Sequence, residues 1–255
     1  MHPPGQVGSM DMGSTQGGGG SPGQRDPNAH SDGFEYAGMR GMERTDQIAV
    51  GKLIGDQVEY LNSDGRSGAA WDVYAWYGPD EQKLWVRSEG GVVDGTVDDT
   101  TSAEALWWRA FTPFWATLLG LRQDLGPGSH TQLAVGVEGL APYWFDLQAT
   151  GYLAVDGRVS ARLKGSYDLL LTNRLILAAE AESNLRSKAN PRRGVGAGVG
   201  NIELALRVRY EFVRKVAPYV GFDWDRALGD TAIRRRADGK PIGEAKVVVG
   251  ARLWW

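Results

Sequence analysis

The stretch Ile202-Glu-Leu-Ala-Leu-Arg-Val-Arg-Tyr210 alternates without a break. Ile202, Leu204, Leu206, Val208 and Tyr210 fall on one side of an extended chain; Glu203, Ala205, Arg207 and Arg209 fall on the other. Period two means a strand with one apolar face and one charged face. Residues 158–169 repeat the pattern. Val159, Ala161, Leu163, Gly165, Tyr167 and Leu169 oppose Arg158, Ser160, Arg162, Lys164, Ser166 and Asp168.

Working outward, further runs lie at 131–140, 143–155, 174–184 and 245–255, with weaker ones near 52–61, 70–78, 82–90, 102–111, 114–124 and 217–226. Residues 102–111 are ambiguous, because Trp107 and Trp108 fall on opposite faces. This makes about twelve strands near the length of a tilted membrane strand, and an even count suits an outer-membrane barrel. Between them, longer polar connections (62–69, 91–101, 125–130, 185–199, 227–244) alternate with tight ones at Pro79, Thr112-Pro113, Ala141-Pro142, Thr172-Asn173 and Val213–Val216. Only the tight Asp156-Gly157 breaks the rule. Short periplasmic turns and longer external loops are the habit of such barrels. The final Leu253-Trp254-Trp255 fits an interfacial aromatic girdle. The fold class expected is therefore all-β, a transmembrane antiparallel β-barrel of about twelve strands, with both termini on the periplasmic side. A soluble sandwich or lipocalin-like barrel would show the same alternation with the apolar face turned inward; loop asymmetry and the terminal aromatic favour the membrane form.

Composition agrees. The chain has 255 residues, net charge −3, 36 Gly, 10 Trp and no Cys. Gly is about twice its usual share. Without Cys there are no disulfides, thiolate zinc sites or Cys nucleophiles. The near-neutral balance gives no basic footprint for nucleic acid. Uncharged stretches in the patterned part, such as Ala110 to Leu121, are too short for a membrane helix. The domains expected are 1–45, a flexible periplasmic arm, and 46–255, the barrel. The arm contains Gly17-Gly-Gly-Gly-Ser-Pro-Gly23 and no apolar period, so it cannot repay the entropy of ordering. No signal peptide is visible, so an exported protein would be represented here by its mature form.

With apolar side chains toward lipid, the other face lines a lumen of mixed charge. Glu138, Asp146, Glu180, Glu182, Glu203 and Asp223 are candidates for a cation path; internal ion pairs that hold the barrel's shape are the plainer reading. Mixed sign argues against a single-charge selectivity ring. No catalytic residue is expected. His130 is the only His in the barrel region; its neighbour Ser129 points the other way on a strand, and Gln132 shares its face. Gly194-Val-Gly-Ala-Gly-Val-Gly200 lies between two strands and reads as an external loop rather than a nucleotide loop.

The arm is chemically distinctive. All five Met (Met1, Met10, Met12, Met39, Met42) lie in it, with His2 and His30. Thioether and imidazole are soft or borderline donors that suit Cu(I) and Cu(II). A segment without a core has no packing use for Met. His2, Met10, Met12, His30, Met39, Met42 and His130 are therefore the candidate metal donors.

Several strings resemble the copper resistance protein B family of outer-membrane proteins: Asp56-Gln-Val-Glu-Tyr60, Trp71-Asp72 with Ala75-Trp-Tyr-Gly78, Lys83-Leu-Trp85 with Glu89-Gly90, Arg109-Ala-Phe-Thr-Pro-Phe-Trp115 and Gly139-Leu-Ala-Pro-Tyr-Trp-Phe145. They continue through Tyr167-Asp-Leu-Leu-Leu-Thr172, Arg174-Leu-Ile-Leu177, Asn201-Ile-Glu-Leu204, Ala217-Pro-Tyr-Val220 and Gly229-Asp-Thr231. Together they cover roughly 50–255 in order. The resemblance implies a Gram-negative outer-membrane barrel in a copper-resistance system, binding copper transiently and conducting it or handing it across the membrane. Outer-membrane lipid and periplasmic copper-handling proteins are the partners it implies. The arm departs from the family pattern in having no repeated Met-His clusters, which argues against a high-capacity copper sponge. A barrel that sequesters copper without transport, and a general translocator or porin-like barrel, are the rival readings.

Overall fold

The structure, a computed structural model, describes residues 48–63, 66–98, 101–125, 129–189, 196–213 and 215–255. The arm, with His2, Met10, Met12, His30, Met39 and Met42, lies outside the described residues.

Every run with period two becomes a strand. In order they are β1 (Val50–Ser63), β2 (Arg66–Gly78), β3 (Gln82–Val93), the two-residue β4 (Thr96–Val97), β5 (Ser102–Ala110), β6 (Trp115–Asp124) and β7 (Thr131–Ala141). Then come β8 (Phe145–Ala154), β9 (Val159–Leu170), β10 (Leu175–Arg186), β11 (Gly198–Tyr210), β12 (Val216–Ala227), a helix α1 (Gly229–Ala237) and β13 (Gly243–Trp254). β4 only folds back on the end of β3. The other twelve pair antiparallel with their neighbours in sequence, and β1 pairs with β13 (Ile54 opposite Trp254, Tyr60 opposite Val249). That pairing closes the ring and leaves no sheet edge, the condition for a sheet to span lipid.

The connections at one end hold three to five residues: β2–β3, β5–β6, β7–β8, β9–β10 and β11–β12. Two of them use the same device. The Thr112 hydroxyl accepts from the backbone N–H of Trp115 at 3.0 Å, and the Thr172 hydroxyl accepts from that of Leu175 at 2.9 Å. Each hydroxyl substitutes for a backbone acceptor and tightens the turn. In the β7–β8 turn Tyr143 and Trp144 both take left-handed φ, 66° and 67°, so Tyr143 belongs to a tight turn and not to the head of a strand as its spacing suggested.

At the opposite end three expectations need correcting. β1 runs to Ser63 and β2 starts at Arg66, so the connection expected over 62–69 shrinks to two residues. The Gly-rich loop expected over 194–200 gives its last three residues to β11. The polar connection at 227–244 contains α1. Thr231, 2% exposed, fixes that helix by accepting from the Gly196 N–H at 2.9 Å, and Arg235 reaches Asp225 of β12 at 3.4 Å. The exceptional Asp156-Gly157 turn is tight as expected. Gly157 has φ +76°, and Asp156 accepts from the Arg158 N–H at 3.1 Å. That hydrogen bond holds the Asp156 carboxyl below the usual range.

Orientation decides between membrane and water. Ile202, Leu204, Leu206, Val208 and Tyr210 are exposed on the outside of β11, while Arg207 and Arg209 are buried inside. The same split gives exposed Leu133, Val135 and Val137 on β7, Leu163 and Leu169 on β9, and Val247 and Val249 on β13. Apolar exposure round the circumference far exceeds the few-hundred-Å² patches of soluble monomers. It is the outer surface of a barrel solvated by hydrocarbon. Among the described residues no helix is long and apolar enough to cross a membrane; the strands do the crossing. The two tryptophans of β5 divide: Trp107 faces out, 45% exposed, and Trp108 lines the interior.

The interior is only partly ionic. Leu106, Leu118, Ala134 and Tyr152 form a buried apolar cluster inside the wall of β5–β8, backed by Trp85 and Trp108. There β6 runs so close to β5 that a Cβ on Gly120 would lie 2.0 Å from the Ala105 carbonyl oxygen. The charged side chains occupy the rest of the lumen.

Candidate functional site

Two cations on β9 dominate the middle of the bore. Arg162 and Lys164 are separated by one residue and so project to the same side. Lys164 Nζ lies 3.3 Å from Asp72 on β2 and 3.2 Å from Glu180 on β10. Arg162 Nη2 lies 2.7 Å from Glu89 on β3 and 2.8 Å from Glu182 on β10. β2 is six strands from β9 in either direction round the ring. The Lys164–Asp72 pair therefore spans the bore from wall to opposite wall.

Further pairs brace the lumen above and below. Arg207 on β11 donates through Nε to Glu59 of β1 at 3.0 Å and pairs with Asp223 of β12 at 3.2 Å. Glu59 also accepts from the Tyr219 hydroxyl at 2.9 Å. Toward the short turns, Arg87 pairs with Glu138 at 2.6 Å, Arg252 with Asp56 at 2.7 Å, and Arg209 with Asp168. Toward the long loops, Arg122 pairs with Glu104 at 3.1 Å and Asp124 at 2.9 Å, with its guanidinium over the Tyr152 ring.

These braces divide the lumen. A cavity of about 660 Å³ runs from the short turns (Asp80, Glu81, Thr112) up to Arg162 and Lys164. A pocket of about 70 Å³ lies at the long-loop end around Arg122, His130 and Arg186. The two share no lining residue. The large cavity has an aromatic side, with Tyr74 and Trp85 stacked at 5.5 Å and Trp108 beside them. Its other side is ionic. At the mouth, Lys83 sits between the rings of Trp76 and Trp108, 4.5 and 5.1 Å from their centroids.

The acidic candidates read from sequence all point inward, but they do not form one group. Glu138, Glu180, Glu182 and Asp223 are held by arginine or lysine. Glu203 accepts from Asn201. Asp146 lines the large cavity and has no ion pair among the described residues. Among the described residues no three His, Asp or Glu side chains converge as a metal site. His130 sits at the far end, its Nδ1 3.6 Å from Asp124. The barrel sequence holds neither Met nor Cys, so the donors along the bore are oxygens and one imidazole, harder ligands than those of the arm.

The ion pairs that run from β9 to β2 and β3 across the bore were missed by sequence reasoning, as was the aromatic wall. Alternation shows that Lys164 and Asp72 face inward, but which acid meets which base depends on strand tilt and stagger.

Comparisons with known proteins agree with this architecture. The family model described as "Copper resistance protein B precursor (CopB)" matches residues 49–255. The chain is 38% identical to "Copper resistance protein B homolog" of Pseudomonas syringae pv. tomato, over 86% of this chain and 75% of that one. It is 39% identical to "Copper resistance protein B" of Escherichia coli, over 78% of this chain and 68% of that one. A crystal structure of the NanC porin superposes with a TM-score of 0.53 at 12% identity, covering 80% of this chain and 99% of that one. At that identity the likeness is one of fold.

Proposed function

Because the chain belongs to the copper resistance protein B family and folds as an outer-membrane barrel, we propose that it binds copper ions and passes them through its lumen during copper resistance. The family match over the whole barrel carries this reading. Copper is cargo: it is held transiently and no chemical step is catalysed. The arm offers Met10, Met12, Met39 and Met42 with His2 and His30, donors that bind Cu(I) and exchange readily. The lumen offers carboxylates, of which Asp146 stands without a salt-bridge partner among the described residues, while Glu138, Glu180, Glu182 and Asp223 are held in ion pairs. Periplasmic copper-handling proteins would supply or receive the ion at the short-turn end.

A second reading is copper sequestration without transport. The wall-to-wall Lys164–Asp72 pair favours it, because a bore crossed by ion pairs is not an open channel. A general porin-like translocator is the third.

Calorimetry on the full chain in detergent tests the copper step. Replacing Met10, Met12, Met39 and Met42 together is expected to weaken Cu(I) binding more than Ca(II) binding. Equal loss for both ions, or no loss for Cu(I), would overturn the arm's role. Failure of the unaltered chain to bind copper would overturn the whole reading.

A further inference from the structure

We propose that Arg162 and Lys164 form a displaceable crossbar, which closes the bore at rest and yields to a divalent cation arriving through the short-turn cavity. The inference rests on the copper-handling reading and adds how passage is controlled.

Three observations carry it. The first is geometry. Both cations come from one strand, and they reach Asp72 on β2 and Glu89 on β3 across the bore. On either side of them lie cavities with no lining residue in common.

The second is charge. Asp72, Glu89, Glu180 and Glu182 surround only Arg162 and Lys164. Four carboxylates against two cations leave this layer two negative charges in excess, the charge of one divalent ion. The neighbouring cations are held elsewhere, Arg207 by Glu59 and Asp223 and Arg122 by Glu104 and Asp124. A divalent ion entering the layer therefore relieves repulsion while it competes with Lys164.

The third is access and strength. Arg162, Lys164, Asp72, Glu89 and Glu180 all line the large cavity, so an ion from the short-turn end meets them directly. Arg162 serves both of its carboxylates through Nη2, and its buried Nε has no hydrogen-bond partner. Neither contact thus uses the side-on, two-pronged geometry in which Nε and an Nη grip one carboxylate together. Lys164 is a point charge on a flexible stem. Both can let go without breaking the barrel's backbone ladder. Oxygen and nitrogen donors favour Cu(II) over the other first-row divalent ions, and Ca(II) demands six to eight oxygens. Exchange should therefore favour copper over calcium.

The test is ion conductance of the full chain in planar lipid bilayers under a KCl gradient. The unaltered protein should conduct K⁺ and Cl⁻ poorly, and Cu(II) added on the short-turn side should raise conductance severalfold, Ca(II) much less. Lys164→Met should open the bore with cation selectivity, since the acids are left in excess. Asp72→Asn with Glu180→Gln should open it with selectivity shifted toward anions, since Lys164 is set free. A change in electrophoretic mobility on heating establishes that each variant folds. If Lys164→Met does not fold, the Asp72/Glu180 variant decides alone. An unaltered protein that already conducts as freely as the variants, or variants with the same selectivity, overturns the crossbar. Calorimetry on the same samples separates the two ideas. Copper binding without copper-dependent conductance overturns the crossbar alone. No copper binding overturns the copper reading, while the opposed selectivities in KCl would still uphold the crossbar.

Discussion

Lys164 on β9 and Asp72 on β2 face each other across the full width of the barrel, six strands apart in either direction, with 3.3 Å between Nζ and Oδ2. A contact of this kind joins opposite walls, and it distinguishes the interior from that of a water-filled porin.

The braces should matter for stability as well as passage. Arg207→Met leaves Glu59, whose side chain is 3% exposed, with only the Tyr219 hydroxyl among the described residues. Breaking one partner of a buried pair costs about 3–5 kcal/mol, and lumen water moves the figure toward the lower end. Urea unfolding in lipid vesicles should show this loss. The double replacement Arg207→Met with Glu59→Leu should recover part of it, because no stranded charge remains.

Orientation predicts a contrast between adjacent strands. Val135 sits mid-strand on β7, 53% exposed toward lipid. Val135→Arg should destabilise the folded barrel by about 2–4 kcal/mol. Gln148→Arg, on the lumen side of β8, should cost far less in the same unfolding assay.

The apolar sector makes a steric prediction. At Gly120 an added Cβ meets backbone, Ala105 O at 2.0 Å and Leu106 Cα at 2.7 Å. Neither can rotate away, so β5 and β6 must separate. Gly120→Ala should cost at least the ~1–3 kcal/mol of an overpacked core, seen as a lower yield of the heat-modifiable folded form.

The strands and their orientation could be read from sequence because period two survives wherever one face meets lipid and the other meets charge. Ile202 to Tyr210 is the plainest case. Where both faces are apolar the signal fades: Leu106 and Trp108 face inward, Trp107 outward, and all three look alike in composition. Helix α1 was hidden for another reason. Its nine residues include Arg234, Arg235 and Arg236 in succession, and what fixes it is tertiary, Thr231 against the β10–β11 loop and Arg235 against Asp225. The alternation puts the acids on the lumen face, but which base each one meets depends on stagger between strands far apart in sequence.

The long-loop end offers a local test. Thr231→Val keeps shape but removes the acceptor for the Gly196 N–H. An unmet buried donor costs about 1–3 kcal/mol. The loss should be confined to α1 and the β10–β11 loop, so hydrogen exchange there should quicken while the strands stay protected.

Copper entry into sealed proteoliposomes, followed with a copper-sensitive dye inside and compared with calcium entry at equal concentration, tests the central claim most directly. The account predicts saturable copper influx well above that of calcium, as expected when an ion must exchange with Lys164 and Arg162 to pass. Influx that rises in proportion to concentration and is equal for both ions would make the barrel a plain pore, and influx no faster than in empty liposomes would make it a copper trap; either result contradicts the account.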